Sequence, residues 1–204
     1  MYILTRAELL ENCQNNEYWV QDTELEKQYM EAGYHRYERS YNIKENYREN
    51  NVICPEFRNK AKEKEPIVIT PEFVVPGRPY PAYVYLYAIE LYSSSPEKGQ
   101  RQVAEETRKK FRLTTFAHTT VGRALKAFTH IIAGNTTTPE ESDAETISGD
   151  KKRSFPSRQW TAKLRKRAAE FLYEITGLTG RRQIVTACCK VVRKWFKKNR
   201  CFLL

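Results

Sequence analysis

Between residues 101 and 128 the chain reads RQVAEETRKKFRLTTFAHTTVGRALKAF, and apolar residues recur there at helical spacing on both sides of a polar turn. Val103, Thr107 and Phe111 stand four residues apart with Ala104 beside them, while Glu105, Glu106, Arg108 and Lys109 fall on the opposite side. Such a stripe buries one face and solvates the other, so an amphipathic helix is expected over 98–111. Ser95 is its expected cap and Pro96 its first position. In the turn RLTTFAH, Leu113 and Phe116 are expected to tuck inward. Val121, Leu125, Phe128 and Ile132 then follow at intervals of four, three and four, which predicts a second helix from Thr119 or Thr120 to Ile132. Gly122 falls within it at a propensity cost of about 1 kcal/mol against alanine. Two readings stay open for it, a close helix crossing and a close approach to a nucleic-acid backbone.

A helix anchored by one stripe presents the other. Thr119, Thr120, Arg123, Lys126 and His130 occupy that second surface, and His118 stands at its entrance. Unpaired N–H groups at a helix start attract phosphate. Hydroxyls can contact backbone or base, and an arginine reaches a guanine edge. His118, Thr119, Thr120, Arg123 and Lys126 are therefore the expected DNA contacts of a helix-turn-helix. The competing reading is a helix pair packed within a core or against a partner, and the length of RLTTFAH, beyond the tight form of the motif, favours it.

Charge adds a second surface. Residues 151–204 hold 16 Lys or Arg against two Glu, so they carry +14 of a chain total of +10, and residues 1–150 sum to −4. Trp160, Leu164, Ala168, Phe171, Leu172 and Ile175 form one helical stripe there; Ile184, Cys188, Val191 and Trp195 form another. The pair predicts a helical hairpin with a basic exposed side. Lys163, Lys166, Arg167, Arg181, Arg182, Lys190, Arg193, Lys194, Lys197 and Lys198 make up the expected phosphate-binding patch, with Arg158 and Arg165 nearby. Double-stranded DNA is the first expected partner, and RNA is the second polyanion that such a surface suits.

The remaining segments are less patterned. Leu4, Leu9 and Leu10 suggest a short helix capped by Thr5, and the stretch from Thr23 to Ala32 another. The hydrophilic residues 42–51 read as a wet connection. Five prolines between Pro66 and Pro81 limit the extended pieces 67–70 and 73–75 to edges or irregular structure. YVYLYAIELY, residues 83–92, alternates like a strand yet also fits a helix closed by Ser94, Ser95 and Pro96; helix is the reading adopted. Residues 136–150 carry five acidic residues and no basic one, the composition of an exposed linker open to proteases. The expected fold is mainly α: a tyrosine-rich, irregular N-terminal part over 1–80, a helix-turn-helix domain over 81–133, an acidic linker over 134–156 and a basic helical hairpin over 157–204.

Nothing in this pattern assembles a reacting centre. The acidic residues of 140–150 sit in the linker, and the three histidines form no HExxH motif. No GxxxxGK[ST] phosphate loop occurs, and the glycines of TGLTGRRQ read as helix termination. Cys54 has no assignable base beside it. Five cysteines without a CxxC pair point to a reducing, cytoplasmic setting and to no zinc site. No catalytic residue, metal or cofactor is expected. No apolar run is long enough for a membrane span, and no basic leader precedes an apolar segment.

Residues 69–92, ITPEFVVPGRPYPAYVYLYAIELY, together with 101–128 resemble a bacterial transposase-like family in which a short cysteine-ligated zinc-ribbon-like unit precedes a helix-turn-helix. YHRYERSYNI, residues 34–43, resembles the basic, aromatic approach to that unit, so the resemblance covers 34–132. It implies attachment to double-stranded DNA through the helix starting near Thr119. This chain departs from the pattern where zinc cysteines stand, since Cys13 and Cys54 are isolated, which implies an N-terminal unit held by other contacts. The resemblance implies an accessory or regulatory DNA binder, not one that cuts or joins. A function of another class is a protein-interaction subunit, docking to a partner or to itself through tyrosines and the apolar residues of the distal hairpin.

Overall fold

In a computed structural model, described over residues 2–5, 8–12, 16–59, 65–134, 162–176 and 192, the N-terminal part is a sheet rather than an irregular segment. Six strands, β1 (Tyr2–Thr5), β2 (Glu8–Asn12), β3 (Glu17–Gln21), β4 (Tyr34–Glu45), β5 (Arg48–Asn59) and β6 (Ile67–Pro71), precede most of the helices. The expectation of a mainly α fold is therefore overturned: the chain is a mixed sheet followed by helices α2 (Ala82–Ser94), α3 (Gln100–Lys110), α4 (His118–Gly134) and α5 (Ala162–Thr176). Helix α1 (Thr23–Glu31) lies within the sheet region, close to where the sequence placed it. Asp22 caps it by accepting from Leu25 N, and the Glu26 carboxylate returns to Asp22 N.

Strand β5 organises the sheet. Along one edge it pairs antiparallel with β4 from Arg48 to Asn59. Its other edge is shared, with Asn51 to Ile53 parallel to β3 and Glu56 and Phe57 antiparallel to β6. β1 then extends β6, and β2 extends β3. A strand with neighbours on both edges and layers on both faces buries consecutive residues instead of alternating ones. Residues 52–57 are all buried, which is why NVICPEF carries no period-two signal. Pro55 masks it further, because proline in a strand interior argues against the assignment. Likewise, Leu4, Leu9 and Leu10 belong to β1 and β2, and the expected wet connection at 42–51 is a hairpin with Ile43 and Asn50 buried. β6 lies inside the sheet order, between β1 and β5, with its prolines only at and beyond its ends; residues 73–75 form no strand.

Val20, Ile43, Val52, Cys54, Phe57, Ile67, Val68, Ile69 and Val74 form the core of this unit, and the α1 ring of Tyr29 stacks at 5.3 Å from Phe57. One buried ion cluster interrupts it. The Glu56 carboxylate, on a residue only 1% exposed, accepts from Arg39 Nε at 2.6 Å and Arg58 Nε at 2.7 Å. Burial alone would raise its pKa, but the two guanidinium groups outweigh that and hold it below the ordinary value.

Helix α2 is the axis of the second core, with Val84, Tyr85, Leu86, Ala88, Ile89, Leu91 and Tyr92 all buried. Only Tyr83, Tyr87 and Glu90 stay half-buried, on one side of the helix, and two of the three are tyrosines, so the amphipathic contrast is weak and YVYLYAIELY takes on a strand-like appearance. Val103, Ala104, Val121, Leu125, Phe128, Ala168, Phe171, Leu172 and Val192 close around it. α5 thus packs into the same core as the helix pair, with Phe171 edge-on to Phe128 at 5.5 Å. The segments 136–150, 151–161 and 177–191 lie outside the described residues, and so do Trp160 and, apart from Val192, the residues expected to form the second distal helix.

A Glu56 carboxyl with a depressed folded pKa contributes stability that is complete above its ordinary value of 4.5 and is lost as pH falls through the folded value. Glu56→Gln is expected to cost about 1–2 kcal/mol at neutral pH, because both arginines keep access to water. Chemical denaturation followed along a pH series should show the gap to wild type closing below pH 4.5.

Candidate nucleic-acid interface

The helix pair forms as its spacing requires. In α3, Val103, Ala104 and Thr107 are buried, and Thr107 satisfies its hydroxyl by donating to Val103 O at 2.7 Å. Its start differs from the sequence reading. Gly99, not Ser95, is the cap residue, and its N–H donates to the Gln102 side chain at 3.0 Å. Ser95 O is already committed to a turn from Lys98 N and to the Arg165 guanidinium. α4 begins at His118, and its inward stripe of Val121, Ala124, Leu125 and Phe128 is at most 2% exposed.

The connection between them, residues 111–117, is long but fixed. Leu113 and Phe116 are buried as expected, and Phe116 packs edge-on to Tyr80 at 5.0 Å. The Tyr80 hydroxyl donates to Thr115 O. Leu113 N donates to Arg108 O and Arg112 N to Lys109 O, closing α3 in a Schellman arrangement with Arg112 left-handed at φ 50°. Two further donors come from the sheet: the β4–β5 turn sends Asn46 N to Phe111 O at 3.2 Å and Tyr47 N to Arg112 O at 2.6 Å. Lys44 N also donates to Pro79 O, and the Tyr83 hydroxyl to the Glu45 carboxylate. The strand hairpin therefore braces the turn that aims α4.

Thr119, Arg123 and Lys126 are exposed and share one side of α4, at steps of four and three. His118 is exposed at the entrance, while Thr120 is half-buried. Ala117 accepts the N–H groups of Thr120 and Val121 through its carbonyl and brings no side-chain acceptor, and no acidic residue occupies the first turn. This helix start repels no anion. Between α3 and the entrance lies a shallow cleft of about 400 Å³, lined among others by Arg101, Arg108, Thr114, Thr115 and His118. Its one acid, Glu105, is held by Lys109 Nζ at 2.7 Å, which keeps the carboxyl below its usual pKa. Cations, hydroxyls and a free helix start around one open concavity can bind phosphate oxygens. Gly122 faces inward to the helix crossing: a Cβ there would stand 3.0 Å from Gln100 Oε1, which favours the packing reading of this glycine.

The basic patch divides. Lys163 is exposed on α5. Lys166 and Arg167 approach Glu170, and Arg167 also approaches Glu174, at distances of 3.7–3.9 Å. Arg165 turns inward instead, donating to Tyr92 O and to Ser95 O at 3.0 Å, with its guanidinium 3.9 Å from the Tyr92 ring centre. It satisfies carbonyls at the α2 C-terminus, a structural duty that its basic neighbours hide in the sequence. Arg181, Arg182, Lys190, Arg193, Lys194, Lys197 and Lys198 lie outside the described residues.

Among the described residues no three His, Cys, Asp or Glu side chains form a group able to hold a metal ion. Cys54 is fully buried in the apolar sheet core, and burial pushes its thiol up to about 12, far from a reactive thiolate. No helix among the described residues is long and apolar enough to cross a membrane. No protein-family model matches the chain, no curated protein matches it, and no solved structure matches it.

Arg165→Ala is expected to destabilise the protein by about 1.5–3 kcal/mol through loss of charged hydrogen bonds to buried carbonyls. Lys163→Ala, two residues earlier on the same helix and exposed, should stay within about 0.5 kcal/mol. Parallel urea unfolding of the two variants separates a structural arginine from a surface cation.

Proposed function

We propose that this chain is a duplex-DNA-binding protein that docks the entrance of α4, and that its role is the accessory or regulatory one implied by its resemblance to transposase-like proteins. One observation carries the reading: Thr119, Arg123 and Lys126 are exposed along one stripe while Val121, Leu125 and Phe128 lock the opposite stripe into the core. A recognition helix needs both conditions at once, since a loosely held helix loses orientation and an occluded one cannot reach a groove. In this reading His118, Thr119 and the half-buried Thr120 position the phosphate backbone at the helix start. Arg123 reads or positions from the next turn, and Lys126 extends the cationic stripe. Lys163, together with the cations of the last quarter of the chain, supplies sequence-independent attraction.

The resemblance spans the β4–β5 hairpin and α2–α4. The structural unit that precedes the helix pair is built on an apolar core with Cys54 inside it, so in this reading hydrophobic packing takes the place that zinc holds in the family. A reducing, cytoplasmic setting fits five cysteines without a CxxC pair and the free, buried thiol of Cys54. Structured RNA and a protein partner are the rival ligands.

Titration of the intact chain with duplex DNA, single strands and structured RNA over a salt series tests the reading, with duplex affinity expected to fall steeply as salt rises. Arg123→Ala should lose about 1–3 kcal/mol on a preferred sequence and less on random duplex if the guanidinium meets a base edge. Equal losses on every sequence would assign it to phosphate. Absence of duplex binding at low salt removes the proposal, and a solution mass above that of one chain would then favour the docking subunit.

A further inference from the structure

The β4–β5 turn does more than brace the helix pair. Asn46 and Tyr47 form a two-residue connection with both at positive φ, 49° and 59°, the pattern of a type I′ hairpin. Glycine is the usual occupant of its second position, because a bulky side chain there is strained. Tyrosine stands there instead, and its side chain makes no compensating burial: Tyr47 is 64% exposed, more than any other large hydrophobic residue described. Opposite it, Arg112 occupies the left-handed position that glycine ordinarily takes after a helix, and it too is exposed. Two strained non-glycine residues, joined by the Tyr47 N–Arg112 O hydrogen bond, hold their side chains in water where folding gains nothing from them. Strain kept at solvent-exposed side chains points to a use outside the fold.

The surroundings say which ligand such a surface fits. Arg48 follows Tyr47 directly and Lys110 precedes Arg112 by two residues; both are exposed. Among the described residues Arg48, Lys110 and Arg112 make no ion pair, whereas the nearby acids are engaged, Glu49 with Lys44 at 2.6 Å and Glu45 with the Tyr83 hydroxyl. The result is a locally cationic, aromatic tip within the part of the chain whose overall charge is −4. Guanidinium groups and a tyrosine hydroxyl are donors to phosphate oxygens, and the tip sits at the start of the same connection whose end is the α4 entrance.

We infer that the hairpin tip, Tyr47 and Arg48 with Lys110 and Arg112, is a second DNA-contacting surface that grips the sugar–phosphate backbone beside the segment met by α4. The inference rests on the DNA-binding reading of α4 and extends it. The tip supplies backbone positioning without base specificity, so the hairpin sets how the recognition helix is registered on the duplex.

Two variants test it without endangering the fold, because each places glycine where the backbone already asks for it. Tyr47→Gly and Arg112→Gly in the full chain should leave the thermal midpoint unchanged or raise it. Each should weaken binding to a labelled random-sequence duplex severalfold, and Arg112→Gly should make the slope of log affinity against log salt shallower by about 1. Lys27→Ala, which removes one exposed cation from α1, should leave both quantities unaltered. Wild-type affinity and salt slope in both glycine variants, with Arg123→Ala still weakened, would overturn the inference while leaving the α4 reading intact. Equal weakening by Lys27→Ala would reduce the effect to net charge and overturn it as well. Failure of the wild-type chain to bind any duplex would instead remove the α4 reading, and this inference with it.

Discussion

A helix cannot end inside a protein without finding donors for its last carbonyls. At the end of α3 those donors come from two sources, the chain's own Leu113 and Arg112 N–H groups and the Asn46 N–H of a hairpin more than fifty residues earlier, whose Tyr47 N–H binds the next carbonyl, Arg112 O. That docking ties the sheet to the helical core, and it freezes the connection between α3 and α4 where a seven-residue loop would otherwise wander. Tyr80 adds a hydroxyl to Thr115 O and a ring against Phe116. The orientation of α4, and with it the placement of Thr119, Arg123 and Lys126, depends on this junction.

The two cores solve different problems. Around α2, apolar side chains from α3, α4 and α5 enclose all but the side that carries Tyr83, Tyr87 and Glu90, and Arg165 closes its C-terminus from a neighbouring element. In the sheet, a twelve-residue strand is long enough to serve β4 along one edge and both β3 and β6 along the other. Cys54 and Phe57 sit in that sheet core, with Tyr29 packed against Phe57, so packing supplies the cross-strand cohesion. The buried Glu56 between Arg39 and Arg58 ties β4 to β5 by charge as well as by backbone. Hydrophobic contact and paired charge both demand the β4–β5 register, since a slip of one residue would turn Arg39 of β4 away from Glu56.

The helix pair was legible because α3 and α4 each have one wet and one dry side, and a half-buried helix writes that division at every third or fourth residue. Leu113 and Phe116 were legible in the turn for the same reason, as isolated apolar residues among polar ones. The sheet was not. β5 is buried on successive residues and contains Pro55, and the β4–β5 turn has tyrosine where Asn-Gly would have announced a hairpin. Asn46 between two runs of polar strand residues was the one available signal. Arg165 was legible as a cation and not as a cap, because its partners Tyr92 O and Ser95 O are backbone atoms seventy or more residues away.

The amino-acid sequence by itself determined which faces of α3, α4 and α5 are dry and which side chains crowd the α4 entrance, since these follow from local spacing and from the cost of burying charge. Only the tertiary structure decided that the N-terminal third is a sheet, that its hairpin tip rests on the α3 terminus, and that Tyr47 and Arg112 meet there. Those facts come from hydrogen bonds between atoms far apart in the chain, and backbone donors and acceptors are the same at every residue, so they leave no mark on the order of side chains.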